Sequence, residues 1–236
     1  VLVLSEDKDI FGGELDNTIL KDQLNLMRVG EPMYVFYGYV EDGYDENGHI
    51  VYKNMDDDPA ITAADKTIIG DPNPDFLVNL TTAVSYKGFT LSAFFQSSIG
   101  NDIYSLSMAA QAYDYGYNGN TLREVYYNHW TPENPTAKYP NLDQTSYKMS
   151  DRFVYDGSFV RLKNLELAYD VPCARNKFIK RARVYVSAQN LFTITSYPFW
   201  DPDINANGGG SSMIQGVDSY CYPSARTYTI GCRLTF

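Results

Sequence analysis

Histidine and cysteine are scarce in this 236-residue chain, which has two His, three Cys and only two Trp. Basic charge is short as well, with 19 Lys and Arg against 29 Asp and Glu, giving a formal charge of −10 and a pI near 4.6. Each shortage narrows the reading. An acidic chain lacks the electrostatic footprint that a phosphate backbone demands, so nucleic acid is not an expected partner. Cys173, Cys221 and Cys232 form no CxxC pair and their odd number cannot close within one chain, so they read as three unrelated thiols. His49 and His129 stand outside any HExxH, Gly-x-Ser-x-Gly or phosphate-loop context, and the glycines from Gly208 to Gly210 follow no strand that opens into a helix. Carboxylates crowd the loops too densely for a glycosidase pair to be singled out. The chain is therefore not expected to be an enzyme. No run of 18 apolar residues exists for a membrane-spanning helix. Val1 to Leu4 is apolar but too short for a signal segment, so the N-terminus reads as a cut end.

Aromatic residues are abundant: 21 Tyr and 12 Phe. They fall in segments of period two, which favours strands over helices. From Phe76, one face carries Phe76, Val78, Leu80, Thr82, Val84 and Tyr86, while the other carries Leu77, Asn79, Thr81, Ala83 and Ser85. After Lys87-Gly88 the alternation resumes with Phe89, Leu91, Ala93 and Phe95 against Thr90, Ser92, Phe94, Gln96 and Ser98, which predicts a β-hairpin. Ala182 to Phe192 sets Val184, Val186 and Ala188 against Arg183, Tyr185, Ser187 and Gln189. The last segment sets Tyr228, Ile230, Cys232, Leu234 and Phe236 against Thr227, Thr229, Gly231, Arg233 and Thr235. Ser158 to Tyr169 is a further strand, with Arg161 and Lys163 interrupting its apolar face.

The links between these strands alternate in length. Lys87-Gly88 and Asp170 to Arg181 are short, whereas Gly100 to Gly157 and Thr193 to Arg226 are long and rich in Gly, Asn, Pro and Tyr. Short turns at one end and long loops at the other are the habit of outer-membrane barrels. An alternating run of about 10 residues, tilted by ~45°, projects to roughly 24 Å, close to the apolar band of such barrels. A soluble sandwich also alternates, but its wet face usually carries Lys and Glu, whereas here that face carries Thr, Ser, Asn, Gln, Gly and Tyr. The barrel is the preferred reading.

Particular strings then add a resemblance. Gly70-Asp71-Pro72-Asn73-Pro74-Asp75-Phe76, Asp156-Gly157-Ser158-Phe159-Val160-Arg161-Leu162-Lys163-Asn164-Leu165 and Tyr185-Val186-Ser187-Ala188-Gln189-Asn190-Leu191-Phe192-Thr193 resemble the C-terminal part of the SusC/RagA family of TonB-dependent outer-membrane transporters. Val29-Gly30-Glu31-Pro32, Trp130-Thr131-Pro132-Glu133-Asn134-Pro135, Asp201-Pro202-Asp203, Gly216-Val217-Asp218 and the close from Tyr222-Pro223 to Phe236 extend the likeness in order along the chain. The resemblance implies an all-β fold: the last five or six strands of a 22-stranded antiparallel transmembrane barrel, with Val1 to Leu4 as the end of one more strand. Residues 1–74 would be that strand end and an extracellular loop region, and residues 75–236 the C-terminal barrel strands with extracellular loops 100–157 and 193–226. It further implies the outer membrane of a Bacteroidetes-type bacterium, a SusD-like surface lipoprotein as partner, energy from TonB-ExbB-ExbD through a segment not in this sequence, and folding by the barrel-assembly machinery into outer-membrane lipid. Five or six strands leave two unpaired edges, so the segment is expected to belong to something larger.

Three groups of residues are candidates for function. Tyr113, Tyr115, Tyr117 and Trp130 present aromatic faces beside amides and carboxylates, which suits stacking on sugar rings, with loop packing or lipoprotein contact as the plainer role. Asn54, Asp56, Asp58, Thr62 and Asp65 fall at positions 1, 3, 5, 9 and 12 of a calcium-type loop, although Pro59 replaces the turn glycine and Asp65 the longer Glu. Calcium is therefore a candidate ligand rather than a required cofactor. Phe236, ending an alternating aromatic strand, resembles the signal read by the barrel-assembly machinery, or is an ordinary last strand residue. The expected function is a barrel segment of an importer of oligomeric nutrients, glycans first and peptides second. The rivals are a secreted carbohydrate-binding β-sandwich using the same tyrosines, and a barrel hydrolase built on His49 or His129.

Overall fold

The computed structural model describes residues 24–26, 30–113, 120–144, 146–173, 178–204 and 215–236. In chain order its strands are β1 (Asn25–Leu26), β2 (Val35–Gly38), β3 (Glu41–Tyr44), β4 (Ile50–Tyr52), β5 (Thr67–Gly70), β6 (Phe76–Tyr86), β7 (Phe89–Ile99), β8 (Asp102–Ser105), β9 (Val154–Asp156), β10 (Phe159–Val171), β11 (Arg181–Thr195), β12 (Val217–Asp218) and β13 (Thr227–Thr235). Helices α1 (Leu106–Tyr113) and α2 (Arg123–Tyr127) lie between β8 and β9. No helix among the described residues is long and apolar enough to cross a membrane. The chain divides into two units: Pro74–Gly100, Gly157–Asp203 and Tyr222–Phe236 form one, and the remainder forms the other.

The first unit is a five-stranded antiparallel sheet in the order β13-β11-β10-β7-β6. The hairpin expected at Lys87-Gly88 closes with both residues at positive φ, +47° and +87°, the mirror-image turn whose twist matches that of paired strands. Register puts the two sequence faces on two sides of the sheet. Ser92, Glu166 and Ser187 are paired in one row across β7, β10 and β11, and Leu91, Leu167 and Val186 in the next. The apolar side is open to its surroundings: Ile230 is 85% exposed and Val186 52%. A continuous apolar sheet face left uncovered is a surface made for contact with something other than water.

Arg161 and Lys163, which break the alternation in the sequence, are explained by a bulge in β10 between Leu162 and Asn164. Lys163 is the extra residue opposite β7, whereas opposite β11 it faces two residues, Asn190 and Leu191. Before it, Phe159 and Arg161 lie on the polar side; after it, Asn164, Glu166, Ala168 and Asp170 do, so the faces stay continuous although the parity of the numbering changes. The sheet is not closed. Among the described residues β6 and β13 each have one unpaired edge, and the additional strand expected at Val1 to Leu4 lies outside those residues.

The other unit contains residues that the sequence pattern assigns to loops, and it has secondary structure of its own. β1, β2 and β5 form one sheet, β3 and β4 a hairpin, and β8 lies between β9 and β12, parallel to the latter. Leu24, Leu26, Val35, Phe36, Ile103, Tyr104 and Val217 form a buried core in which the Phe36 and Tyr104 rings meet edge-on at 6.0 Å. Asn25, also buried, ties three segments together by donating through Nδ2 to the carbonyls of Tyr34 and Gln215. β11 runs three residues beyond the expected end of its strand at Phe192, to Thr195.

Candidate functional site

Of the four aromatic residues proposed for substrate contact, Tyr115 and Tyr117 lie outside the described residues and Tyr113 is the last residue of α1. The Trp130 backbone N–H donates to the Tyr139 carbonyl at 2.8 Å, and the Trp130 ring lies against Gly48 in the β3-β4 turn, where an added Cβ would fall 2.3 Å from the indole. Gly48 has φ +80°, so the turn and the close approach both require glycine there.

That turn forms one wall of a polar groove of about 530 Å³, lined by His49, Ile50, Tyr52, Asp143, Gln144, Ser146, Tyr147 and Lys148. His49 Nε2 is 2.9 Å from Asp143 Oδ1, and His49 Nδ1 is 3.9 Å from Asp45 Oδ2. The backbone N–H groups of His49 and Asn47 hold the Asp45 carboxyl below the usual carboxylate range. Gln144 accepts from the Ile50 N–H and donates to the Ser146 carbonyl, and the Tyr52 hydroxyl accepts from the Lys148 N–H. Burial pushes the Tyr52 hydroxyl upward, so it stays protonated. Aromatic rings beside a carboxylate-imidazole pair can stack on and hydrogen-bond a hydroxyl-rich or amide-rich ligand. The sequence offered no signal for this site: His49 and Asp143 are 94 positions apart and match no motif.

The acidic loop from Asn54 to Asp65 is drawn together as its spacing suggests, but its oxygens are engaged with the backbone. Asp56 N–H donates to Asn54 Oδ1, Asp58 N–H to Asp56 Oδ1 and Ala60 N–H to Asp58 Oδ1, a run of turns closed by side chains. Thr62 caps the short 3-10 turn at Ala63–Asp65. Both Asp65 oxygens are taken, accepting from Met55 N–H and Thr62 N–H at 2.7 Å each, and these bonds hold its carboxyl below the usual range. Among the described residues no group of three or more His, Cys, Asp or Glu is arranged to hold a metal ion. As folded, the loop is self-closed, and a cation would compete with the N–H donors that now use its oxygens.

At the base of the long connection after β11, Arg161 on the polar side of the sheet is 1% exposed. Its guanidinium pairs with Asp201 and, at 3.2 Å, with Asp203; it also donates to Thr193 Oγ1 at 2.9 Å and to Ser224 Oγ at 3.3 Å. Asp201 accepts in turn from the N–H groups of Asp203 and Ser224. One side chain on a strand thus holds both the outgoing and the returning leg of the connection. Phe236, one residue beyond the end of β13, is 71% exposed.

No protein-family model matches the chain. It is 32% identical to TonB-dependent receptor P3 of Formosa agariphila over 99% of its length, and 30% identical to TonB-dependent receptor SusC of Bacteroides thetaiotaomicron over 89%. These matches span a quarter and a fifth of the two relatives. Among solved structures it is similar to the RagAB peptide importer in the closed-closed state, with a TM-score of 0.76, 26% identity, and coverage of 94% of this chain and 24% of that one.

Proposed function

The chain belongs to the SusC/RagA-type TonB-dependent receptors, and from that premise we propose that it supplies part of the wall and the outer loops of an outer-membrane importer of oligomeric nutrients. The observation that carries this reading is the five-stranded sheet, apolar and exposed on one side, polar on the other and open at both edges. Hydrocarbon tolerates such a sheet only when its edges are paired in a closed barrel. In this reading Lys87-Gly88 and the link from β10 to β11 face the periplasm, and residues 100–157 and 193–226 face outward. The assembly works with a SusD-like lipoprotein, draws energy from TonB-ExbB-ExbD through polypeptide outside these 236 residues, and is folded by the barrel-assembly machinery, which reads Phe236.

Cargo is an oligosaccharide in the first instance, supported by the aromatic and hydroxyl-binding groups around Trp130 and His49. The likeness to a peptide importer favours oligopeptide as the second reading. Deleting the gene and following uptake of labelled oligosaccharides and oligopeptides separates the two: loss of glycan uptake alone is expected, loss of peptide uptake alone selects the second reading, and unchanged uptake of both removes the import proposal. Calcium at Asn54, Asp56, Asp58, Thr62 and Asp65 is a separate proposal, removed if titrating the ion into the intact protein leaves no ion bound at these residues.

A further inference from the structure

The apolar side of the five-stranded sheet changes character toward its short-turn end. The row Val84, Leu91, Leu167, Val186 and Ile230 crosses the sheet from β6 to β13 and is exposed throughout. In the next row Tyr86, Phe89 and Tyr169 are direct partners across β6, β7 and β10. The Phe89 and Tyr169 rings meet at 4.5 Å, and Tyr86 and Phe89 are both exposed. Two lysines stand just beyond these aromatics. Lys87, in the β6-β7 turn, holds its Nζ 5.2 Å from the centre of the Tyr86 ring, and Lys180 immediately precedes β11. Neither has an acidic partner among the described residues. Asp170, the acid at the same end of β10, lies on the polar side, 3.5 Å from Arg183, and the link from Val171 to Arg181 contains no Asp or Glu. Lys87 also has φ +47° at the first position of a mirror-image turn, where Asn, Asp or Gly is the favoured occupant. A lysine kept there against the preference of the backbone points to a role for its side chain.

We propose that Lys87 and Lys180 bind the phosphate of an anionic diacyl phospholipid whose acyl chains lie against the apolar side of the sheet. The order along the strands, aliphatic rows, then aromatic rings, then ammonium groups, matches the order of such a lipid from chain to glycerol to phosphate. Lys87 reaches back over the Tyr86 ring, so its charge is on the same side as the apolar surface, where a protein partner would have to displace hydrocarbon. Charge decides the headgroup. A zwitterionic lipid offsets its phosphate with its own cation, whereas an anionic one leaves the phosphate to the lysines. The β6-β7 turn and the start of β11 are about two strand spacings apart, roughly 10 Å, which lets both ammonium groups approach one headgroup. The inference rests on the importer reading, which puts the apolar side in hydrocarbon and these turns at the periplasmic leaflet.

The test is native mass spectrometry of the full-length transporter in detergent, with dioleoylphosphatidylglycerol and dioleoylphosphatidylcholine added at equal concentration. Wild type is expected to retain the phosphatidylglycerol in preference. Lys87→Asn leaves an Asn-Gly pair, which suits the mirror-image turn better than the native pair does. Combined with Lys180→Gln, it is expected to reduce the preference by about tenfold or more while the thermal midpoint does not fall. Equal retention of the two lipids by wild type, an unchanged preference in the paired variant, or a preference lost only together with a lower midpoint overturns the proposal. Heat-modifiable migration in electrophoresis reports the barrel itself: its presence without the lipid preference sinks this inference alone, and its absence sinks the importer reading beneath it.

Discussion

Arg161 is a buried cation on a strand, with Asp201 and Asp203 as its anions. Removing one partner of such a pair leaves buried charge behind, so Arg161→Met is expected to destabilise the intact protein by about 3 kcal/mol, read as a lower thermal midpoint together with new proteolysis between residues 196 and 226. Arg161→Lys is expected to recover little, because one ammonium cannot serve Thr193, Asp201, Asp203 and Ser224 at once. The pH dependence follows from Asp201. Burial pushes its carboxyl up, but the N–H groups of Ser224 and Asp203 and the Arg161 guanidinium outweigh that and hold it below the ordinary range. A lowered folded-state value means that the contribution is complete above the unfolded carboxylate value of ~3.9 and disappears as pH falls through the folded one. The difference in midpoint between wild type and Asp201→Asn, which cannot titrate there, should therefore stay constant from pH 7 to about 4 and close only below it; closure near pH 6 would contradict the assignment. In the sequence Arg161 was visible only as a fault in an alternating strand, because its four partners come from positions 32 to 63 residues away.

Strands were the most legible elements, since a period of two survives in the sequence wherever one side is apolar. The Lys87-Gly88 turn was legible too, because glycine is the cheapest way to hold a positive φ. Gly88→Ala would place a Cβ 3.1 Å from the Tyr169 ring in a left-handed conformation, and about 1 kcal/mol of lost stability is expected in thermal unfolding. The bulge at Lys163 was not legible as a bulge, for an extra residue reveals itself only when the partner strand is counted against it. Gly231 shows the same limit. It reads as a weak spot in β13, yet a Cβ there would fall 2.4 Å from Cζ of Tyr185, so the tyrosine covers the gap across the strands. Gly231→Val is expected to displace that ring and cost about 1–3 kcal/mol, measurable as a lower midpoint and as altered exchange in β11. The small strands and helices within residues 101–156 were missed as well, because each is too short to show a period and is held by contacts between distant segments.

At the scale of the whole molecule, β6 and β13 have edges unpaired among the described residues, beside an uncovered apolar side. Residues 1–236 produced alone should therefore fail to give a monodisperse monomer in buffer without detergent, as judged by size-exclusion chromatography with light scattering; a well-behaved soluble monomer would instead restore the carbohydrate-binding sandwich. The sequence by itself determined the all-β class, the two chemically opposite sides of each long strand, the tight hairpin and the family resemblance, because all of these are written in local order and near-neighbour spacing. Only the tertiary structure decided which residues meet: His49 with Asp143, Arg161 with Asp201, Asp203 and Ser224, and Arg183 opposite Arg233. Those meetings depend on strand register and on loop segments returning from tens of residues away. Composition and spacing carry no trace of either, since the same alternating strands could pair in another register and bring different charges together.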